Sequence, residues 1–166
     1  MKERWVVSDT HFGHSGVCKF THQDTGIKIR PWVDVEEMNE DMVRMWNEVV
    51  NPCDRVYHLG DVVMNKQYLP IMDRLNGKKV LIKGNHDIFD AKEYLKYFED
   101  VRAYTIYEKV IMSHIPVHPD TKERWKMNIH GHLHTNVIED PWYQNVSVEQ
   151  IGFKPILLEE VMNRNE

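Results

Sequence analysis

The chain has 166 residues, and its 26 acidic, 21 basic and 10 histidine residues give a formal net charge of −5 at pH 7. A hydrophobic fraction of 42% beside 28% charged residues is typical of a folded globular protein and excludes a disordered chain. The length predicts one domain over residues 1–166, and the acidic balance argues against a general polyanion binder. Many histidines beside many carboxylates indicate a metal centre or acid–base chemistry.

The chain has two cysteines, Cys18 and Cys53, which are too few for a disulfide-rich scaffold or a four-cysteine zinc site. We interpret them as reduced thiols. The N-terminal segment does not have the pattern of a signal peptide, and no apolar run approaches the roughly 20 residues that span a bilayer. The sequence therefore predicts a cytoplasmic protein without a membrane partner.

Short β-type segments alternate with helical patterns in the first half of the chain. The clearest helix runs from Val35 to Val50, because its apolar residues step by three and four along one face. Asp34 is its predicted N-cap, Glu37 completes a capping box, and Asn51 ends the helix. Strands are predicted at residues 4–8, 55–59 and 79–83.

The second half of the chain is richer in predicted strands. Two shorter helices come first, one from near Pro70 to Asn76 and one at Asp90–Phe98. Strands follow at residues 102–107, 109–113, 126–130, 144–148 and 155–158, with a short helix at 159–163. This order predicts an α/β fold with two sheets and helices outside them. The loop from Phe12 to Pro31 is long enough to suggest a functional role.

Polar side chains that can bind metals follow five of the predicted strands. Because ligands in α/β sheets gather beyond the carboxyl ends of the strands, we expect the five clusters to converge. Each cluster is a weak signal by itself, and the ordered set is the specific one. In chain order the residues are Asp9 and His11; Gly60 and Asp61; Gly84, Asn85, His86 and Asp87; His114; and Gly131, His132 and His134.

This ordered set, in the stretches SDTHFGH, HLGD, KGNHD, MSH and IHGHLH, resembles the calcineurin-like metallophosphoesterase superfamily. The resemblance covers Asp9 to His134. The small size and the DTHFGH opening look most like the compact bacterial and phage phosphoesterases of that superfamily. The resemblance implies a four-layer α/β/β/α sandwich of two mixed β-sheets flanked by helices.

The resemblance also implies two metal ions that share one carboxylate. The first ligand set is Asp9, His11, Asp61 and His134, and the second is Asp61, Asn85, His114 and His132. Mixed nitrogen and oxygen ligands suit Mn²⁺, Fe, Ni²⁺ or Zn²⁺ better than Ca²⁺ or Mg²⁺, and Mn²⁺ is the expected metal. Two such ions about 3.5–4 Å apart can share a water and lower its pKa, so that it forms hydroxide at neutral pH.

The remaining histidines divide into one catalytic candidate, one substrate-binding candidate and several packed side chains. The resemblance makes His86 the catalytic histidine that is not a ligand. In the implied reaction hydroxide attacks phosphorus in line, while His86 donates a hydrogen bond or a proton towards the leaving group. His14, in the long loop, is a candidate for binding the phosphate. We interpret His58 and His130 as packed within strands, and Asp87 as orienting its own turn.

Two departures from better-defined branches narrow the substrate. Protein serine/threonine phosphatases continue the second motif as GDxVDRG, whereas here it reads GDVVMN, without that Asp and Arg. This argues against a protein phosphatase. Double-strand-break repair nucleases continue the motif as GDLFH, and here Met64 stands in place of that histidine, which weakens the case for a nuclease.

The sequence therefore predicts a dinuclear-metal-dependent phosphodiesterase that hydrolyses a nucleotide or a similar small, soluble phosphodiester. A nuclease or a phosphomonoesterase with the same centre is the enzymatic alternative, and nucleic acid is the less favoured partner. A non-catalytic scaffold of the same fold is the alternative from another class. Scaffolding members of the superfamily lack the histidine that stands here as His86.

Overall fold

The computed structural model describes residues 2–165, which form two β-sheets packed face to face. The strands of this part of the chain are Arg4–Val7 (β1), Arg55–His58 (β2), Lys78–Ile82 (β3), Asp100–Arg102 (β4), Thr105–Tyr107 (β5), Val110–Met112 (β6), Met127–His130 (β7), Tyr143–Asn145 (β8) and Ile156–Leu157 (β9). The α-helices are Val35–Val49 (α1), Ala91–Tyr94 (α2), Val148–Ile151 (α3) and Leu158–Met162 (α4). Short 3₁₀ helices cover Ser15–Cys18, Lys66–Arg74, Pro119–Arg124 and Asn163–Asn165.

Both sheets are mixed, as the sequence predicts. The first has the spatial order β4-β3-β2-β1-β9, in which β1 to β4 are parallel and β9 is antiparallel to β1. The second has the order β5-β6-β7-β8, in which only the β5–β6 pair is antiparallel. Within each sheet the parallel strands therefore deliver their carboxyl ends to a common edge.

The first sheet is buried on both faces, because successive side chains of a strand point to opposite sides. Val7, Val56 and Leu81 pack with α1 in one apolar cluster. Their neighbours Val6 and Val80 pack in a second cluster, together with residues of β6 and β7. The second cluster is therefore the layer between the two sheets.

Helix α1 forms as the sequence predicts. The carboxylate of Asp34 accepts a 2.8 Å hydrogen bond from the backbone N–H of Glu37, and the Glu37 side chain accepts one from Val33. These bonds satisfy N–H groups that have no partner within the helix. The buried stripe along α1 is Val35, Met38, Met42, Val43 and Trp46.

A segment with a 3₁₀ helix covers the outer face of the second sheet. The backbone N–H of Val117 donates to the side chain of Asn128, and the hydroxyl of Tyr143 donates to the carbonyl of Val117. The order of layers is thus helix, sheet, sheet and helix. The predicted α/β sandwich of two mixed sheets flanked by helices is confirmed.

Four predicted elements differ from those observed. The strand predicted at 144–148 ends at Asn145, and Val148 begins α3 instead. The helix predicted from Pro70 is part of a 3₁₀ helix that begins at Lys66, because Pro70 lacks the N–H that an α-helix interior requires. The helix predicted at Asp90–Phe98 ends after one turn, at Tyr94. The strand predicted at 102–107 is two strands, since β4 pairs with the first sheet and β5 with the second.

The loops after β1, β2, β3, β6 and β7 are the ones that carry the predicted site residues. β1 to β3 end at one edge of the first sheet, and β6 and β7 end at one edge of the second. A parallel bridge between Ser8, after β1, and Ser147, after β8, joins the two edges. None of the helices in residues 2–165 is both long and apolar enough to cross a membrane.

Candidate metal centre

The loops that carry the predicted ligands contain unusual backbone conformations. Eight non-glycine residues of the described chain have a positive φ, and five of these are predicted ligands. The five are Asp9, His11, Asp61, His132 and His134, with φ between 48° and 69°. Side chains are strained in this left-handed region, and such residues cluster at functional sites. Backbone strain therefore marks the same place as the sequence pattern.

The carboxylate of Asp61 lies between two groups of predicted ligands. Its Oδ2 atom lies 3.6 Å from Nε2 of His11 and 3.4 Å from Nε2 of His114. Its other oxygen, Oδ1, accepts a 2.9 Å hydrogen bond from the backbone N–H of His86. Because that bond holds Oδ1, Oδ2 is the oxygen that faces both groups, as a shared ligand needs.

Asp9 faces the first group from the end of β1. Its Oδ1 lies 3.7 Å from Nε2 of His11 and 3.6 Å from Nε2 of His134. Its Oδ2 accepts hydrogen bonds from the backbone N–H of His132 and the hydroxyl of Ser147. Within the described residues, Oδ1 of Asp9 and both ring nitrogens of His11 are buried without a hydrogen-bond partner. Unpartnered buried polar atoms are costly, so these atoms are suited to an external ligand.

The second group forms around the side-chain oxygen of Asn85. Nδ1 of His114 lies 2.7 Å from the carbonyl of Leu59, which only accepts, so Nδ1 carries the proton and the neutral ring has a lone pair at Nε2. That Nε2 lies 2.9 Å from Oδ1 of Asn85, and Nδ1 of His132 lies 3.0 Å from the same oxygen. Oxygen and nitrogen atoms with lone pairs that face each other at these distances are stabilised when a cation lies between them.

The donor atoms are close enough to hold metal ions. Two groups within the described residues have donor atoms that all lie within 4.8 Å of one another: Asp9, His11 and His134, and Asp9, Asp61 and His114. Imidazole nitrogen with carboxylate oxygen is a donor set that divalent transition metals accept. Asp9 belongs to both of these groups. It therefore lies closer to His114, which the resemblance assigns to the other metal ion, than the resemblance implies.

Both carboxylates are ionised at neutral pH. Burial raises the pKa of Asp9, but the surrounding histidine rings lower this pKa by a larger amount. The pKa of Asp9 therefore lies well below its usual range. Burial likewise raises the pKa of Asp61, but the neighbouring His114 and His11 rings and the hydrogen bond from the backbone N–H of His86 together lower it by more. Burial lowers the pKa of His134, but the hydrogen bond to Glu149 and the negative charges of Glu149 and Asp9 together raise it by more. The centre therefore has a strong preference for positive charge.

Two glycines allow the loops to approach each other. A Cβ atom on Gly131 would lie 2.0 Å from Oγ of Ser8 and 2.3 Å from Oδ2 of Asp9. A Cβ atom on Gly84 would lie 2.2 Å from Oδ1 of Asp61. Any larger residue at either position displaces a predicted ligand.

The GNHD turn presents His86 and is held by Asp87. The buried Asp87 carboxylate accepts hydrogen bonds from the backbone N–H groups of Gly84, Asp61 and Val62. Asp87 thus joins the turn after β3 to the loop after β2, which confirms its predicted orienting role. His86 is exposed, and its ring lies 5.7 Å from the ring of His11. This places His86 beside the predicted ligands.

The other histidines fall largely where the sequence predicts. His58 is buried, its Nε2 lies 2.9 Å from the Thr10 hydroxyl, and burial lowers its pKa to about 3. His130 is buried and hydrogen-bonds to the carbonyl of Gly131. Both are packed side chains, as predicted. His14 is half-buried, with its ring 5.7 Å from the ring of His11.

Sequence reasoning missed Arg30 and Glu149. Arg30 is fully buried, and it donates hydrogen bonds to the carbonyls of Asp9 and Thr10 and to Oε1 of Glu149. The same Glu149 oxygen lies 3.0 Å from Nδ1 of His134. The two residues are separated by 119 positions, so no spacing connects them. The one sequence feature that could have indicated Arg30 is its place near the end of the long loop, for which we suggest a functional role.

Comparisons with known proteins agree with this arrangement. A family model described as the calcineurin-like phosphoesterase superfamily domain matches residues 3–148. An uncharacterized protein of Methanocaldococcus jannaschii is 34% identical, over 98% of this chain and 90% of the relative. The crystal structure of a protein of unknown function from Aquifex aeolicus is similar with a TM-score of 0.73 and 28% identity, covering 97% of this chain and 98% of that one.

A more distant structural neighbour shares the fold. The nuclease MPE of Pseudomonas putida aligns with a TM-score of 0.52 and 19% identity, over 79% of this chain and 61% of that chain. At this identity the similarity concerns the arrangement of strands and helices. It does not extend to the reaction.

Proposed function

The chain belongs to the calcineurin-like phosphoesterase superfamily, and from that membership we propose that it is a metal-dependent hydrolase of phosphoric esters. The observation that carries the proposal is that the two groups of predicted ligands meet at the Oδ2 atom of Asp61, which lies 3.6 Å from Nε2 of His11 and 3.4 Å from Nε2 of His114. Two of the predicted ligands, Asp9 and His11, have buried atoms for which the described chain offers no hydrogen-bond partner. The predicted ligand sets keep their roles in this proposal, with Asp61 shared between two ions.

Two divalent cations bound there would polarise the phosphoryl oxygens and lower the pKa of a water molecule. Their charge exceeds that of the Asp9 and Asp61 carboxylates, so the centre would stay attractive to a phosphate anion. The other ligands are neutral imidazoles and one carboxamide, which add no negative charge. We propose Mn²⁺ as the metal, with Fe, Ni²⁺ and Zn²⁺ as the other ions that this donor set accepts.

His86 is the proposed catalytic residue. Its ring lies beside the predicted ligands and is exposed to an entering substrate, while its backbone is fixed by the hydrogen bond to Asp61. A water molecule that has lost one proton to solvent supplies the oxygen that bonds to phosphorus, and as the ester P–O bond breaks, His86 donates a proton to the departing oxygen. The GNHD turn keeps the ring in place, because Asp87 binds that turn to the next loop.

Within this class we propose a phosphodiesterase. The cleft beside the centre is bordered by one arginine, Arg30, and by no lysine among the described residues. Arg30 is fully buried and engaged by Glu149 and two carbonyls, so it offers no charge to a dianionic monoester. A singly charged diester is the better match. The small, soluble diester expected from the sequence remains the proposed substrate.

A panel of chromogenic esters tests the proposal. The purified protein should hydrolyse bis(p-nitrophenyl) phosphate in the presence of Mn²⁺, more efficiently than p-nitrophenyl phosphate, and lose the activity with EDTA. Asp61→Asn should remove the activity, whereas Asp24→Asn, the same change on an exposed loop, should keep it. Hydrolysis of the monoester alone would overturn the phosphodiesterase assignment. Bound metal without any hydrolysis would favour the scaffold.

The state of the cysteines supports the proposed cytoplasmic location. Cys18 is buried and Cys53 is exposed, and both are free thiols. Unpaired thiols, one of them exposed, are stable in a reducing compartment.

A further inference from the structure

A cleft of about 350 Å³ opens directly beside the candidate metal centre. Three of its lining residues, His11, His86 and His134, also belong to that centre, so the cleft and the centre are continuous. Three further lining residues, Val17, Phe20 and Ile29, form its apolar wall, and Arg30 and Glu149 also border it. A cleft of this size that combines apolar side chains with polar groups is typical of a small-molecule site.

The long loop builds the apolar wall. The 3₁₀ helix Ser15–Cys18 buries Val17, and the loop then turns back on itself, with a bridge between Thr21 and Lys28. The backbone N–H of Ile29 donates a 2.9 Å hydrogen bond to the carbonyl of Phe20. This antiparallel pairing sets the two side chains next to each other on the cleft.

Phe20 is exposed at 53%, although it is a large apolar side chain on an ordered loop. Its ring meets the ring of His14 edge-on, at 79° and 6.3 Å between centroids. Two aromatic rings at such an angle offer a planar ring one face for stacking and one edge for a T-shaped contact. An alkyl chain gains nothing from this geometry beyond burial.

We propose that this cleft, defined by Val17, Phe20, Ile29 and His14, is the subsite for an aromatic ester group of the substrate, such as a nucleobase. The inference rests on the proposed function, because the phosphate must lie at the centre for its substituent to reach the cleft. The substrates are accordingly phosphodiesters with a planar aromatic substituent. His14 thus contacts the substituent rather than the phosphate.

Two matched substrates test the subsite through kinetics. Thymidine 5′-(methyl phosphate) and 2-deoxyribose 5-(methyl phosphate) share a leaving group, and only the first carries an aromatic ring. The wild type should prefer the thymidine diester in kcat/KM by at least about tenfold, the range that base stacking on an aromatic side chain supports. Phe20→Ala should remove most of this preference. Ile27→Ala, an exposed apolar residue of the same loop outside the cleft, should keep it.

Binding without turnover provides the second readout. Calorimetric titration of the Mn²⁺-loaded protein with AMP should give an affinity at least about tenfold above that of ribose 5-phosphate, and Phe20→Ala should bring the two together. Equal affinities in the wild type, or a preference for octyl over thymidine diesters, would overturn the subsite while leaving diester hydrolysis intact. If the wild-type protein hydrolyses none of the diesters in the presence of Mn²⁺, the result would instead contradict the proposed function.

Discussion

The guanidinium of Arg30 and the carboxylate of Glu149 form a buried ion pair of 2.9 Å beneath the candidate metal centre. Arg30 also holds the carbonyls of Asp9 and Thr10, and Glu149 faces Nδ1 of His134. The pair thus connects two loops that carry predicted ligands. An acceptor on the second nitrogen of a ligating histidine fixes its tautomer and ring orientation, so this pair positions Nε2 of His134.

Replacement of Glu149 tests this positioning role. Glu149→Gln should lower Mn²⁺ affinity by about 10–100-fold, because His134 loses its anionic partner. It should also lower the free energy of unfolding by about 3–5 kcal/mol, since Arg30 keeps a buried charge without a counter-ion. Calorimetric Mn²⁺ titration and urea denaturation measure the two effects. Glu160→Gln, the same change on an exposed side chain, should alter neither; unchanged Mn²⁺ affinity in Glu149→Gln would contradict the role.

Gly131→Ala tests the close approach of two loops. The added methyl group would overlap the Ser8 hydroxyl and the Asp9 carboxylate, so Mn²⁺ binding should be lost. Gly26→Ala is the control, because a Cβ there meets nothing within 4 Å although φ is +67°. It should cost about 1–2 kcal/mol of strain and leave Mn²⁺ affinity unchanged. Normal Mn²⁺ binding by Gly131→Ala would show that Asp9 does not need its observed position.

His86→Ala tests the proposed proton donor. The variant should bind Mn²⁺ with unchanged affinity and lose about 10²–10⁴-fold in kcat, because the departing oxygen receives no proton. His22→Ala, a matched change at an exposed histidine of the long loop, should retain full turnover. Steady-state kinetics with thymidine 5′-(methyl phosphate), a diester whose departing alkoxide needs the proton, separate the two variants. Intact turnover in His86→Ala would exclude the catalytic role.

Asp54 supplies a pH-dependent part of the stability, far from the candidate centre. Its carboxylate accepts hydrogen bonds from the backbone of Glu3 and Asn51 and from the Trp5 indole. Burial raises the pKa of Asp54, but these bonds lower it by more, so the folded pKa lies below the unfolded one. The stabilisation is therefore complete above the unfolded pKa of about 3.9 and is lost as the pH falls through the folded pKa.

Asp54→Asn should accordingly reduce the free energy of unfolding by about 1–3 kcal/mol at neutral pH. The difference between wild type and variant should shrink as the pH falls below about 4. Urea denaturation across this range measures both quantities. A difference that stays constant down to pH 3 would show that the hydrogen bonds do not depend on the charge.

The sequence predicts the fold class and the location of the site because both depend on local signals. Helix α1 has its cap and its apolar stripe within one segment, and the ligands follow their strands directly. The 102–107 segment is a different case, because it contains no Gly, Pro, Asn or Asp that would mark a break between two strands. Only the pairing partners decide that the chain changes sheets between β4 and β5.

The supporting residues of the site depend on tertiary contacts and were missed for that reason. Arg30 and Glu149 meet across 119 positions, and neither belongs to a recognisable motif. A lysine at the start of a strand is usually solvated. Lys79 is instead buried, and its ammonium donates to the carbonyls of Leu75 and Gly77. A lysine with two carbonyl acceptors supplied by a neighbouring turn cannot be distinguished from an exposed one by its sequence.

A crystal structure of the protein grown with Mn²⁺, with anomalous data collected at the manganese edge, tests the dinuclear centre most directly. We expect two anomalous peaks per chain, one on each side of Oδ2 of Asp61. The first should lie among Asp9, His11 and His134, and the second among Asn85, His114 and His132. A single peak, or peaks away from Asp61, would contradict a dinuclear centre with a shared carboxylate.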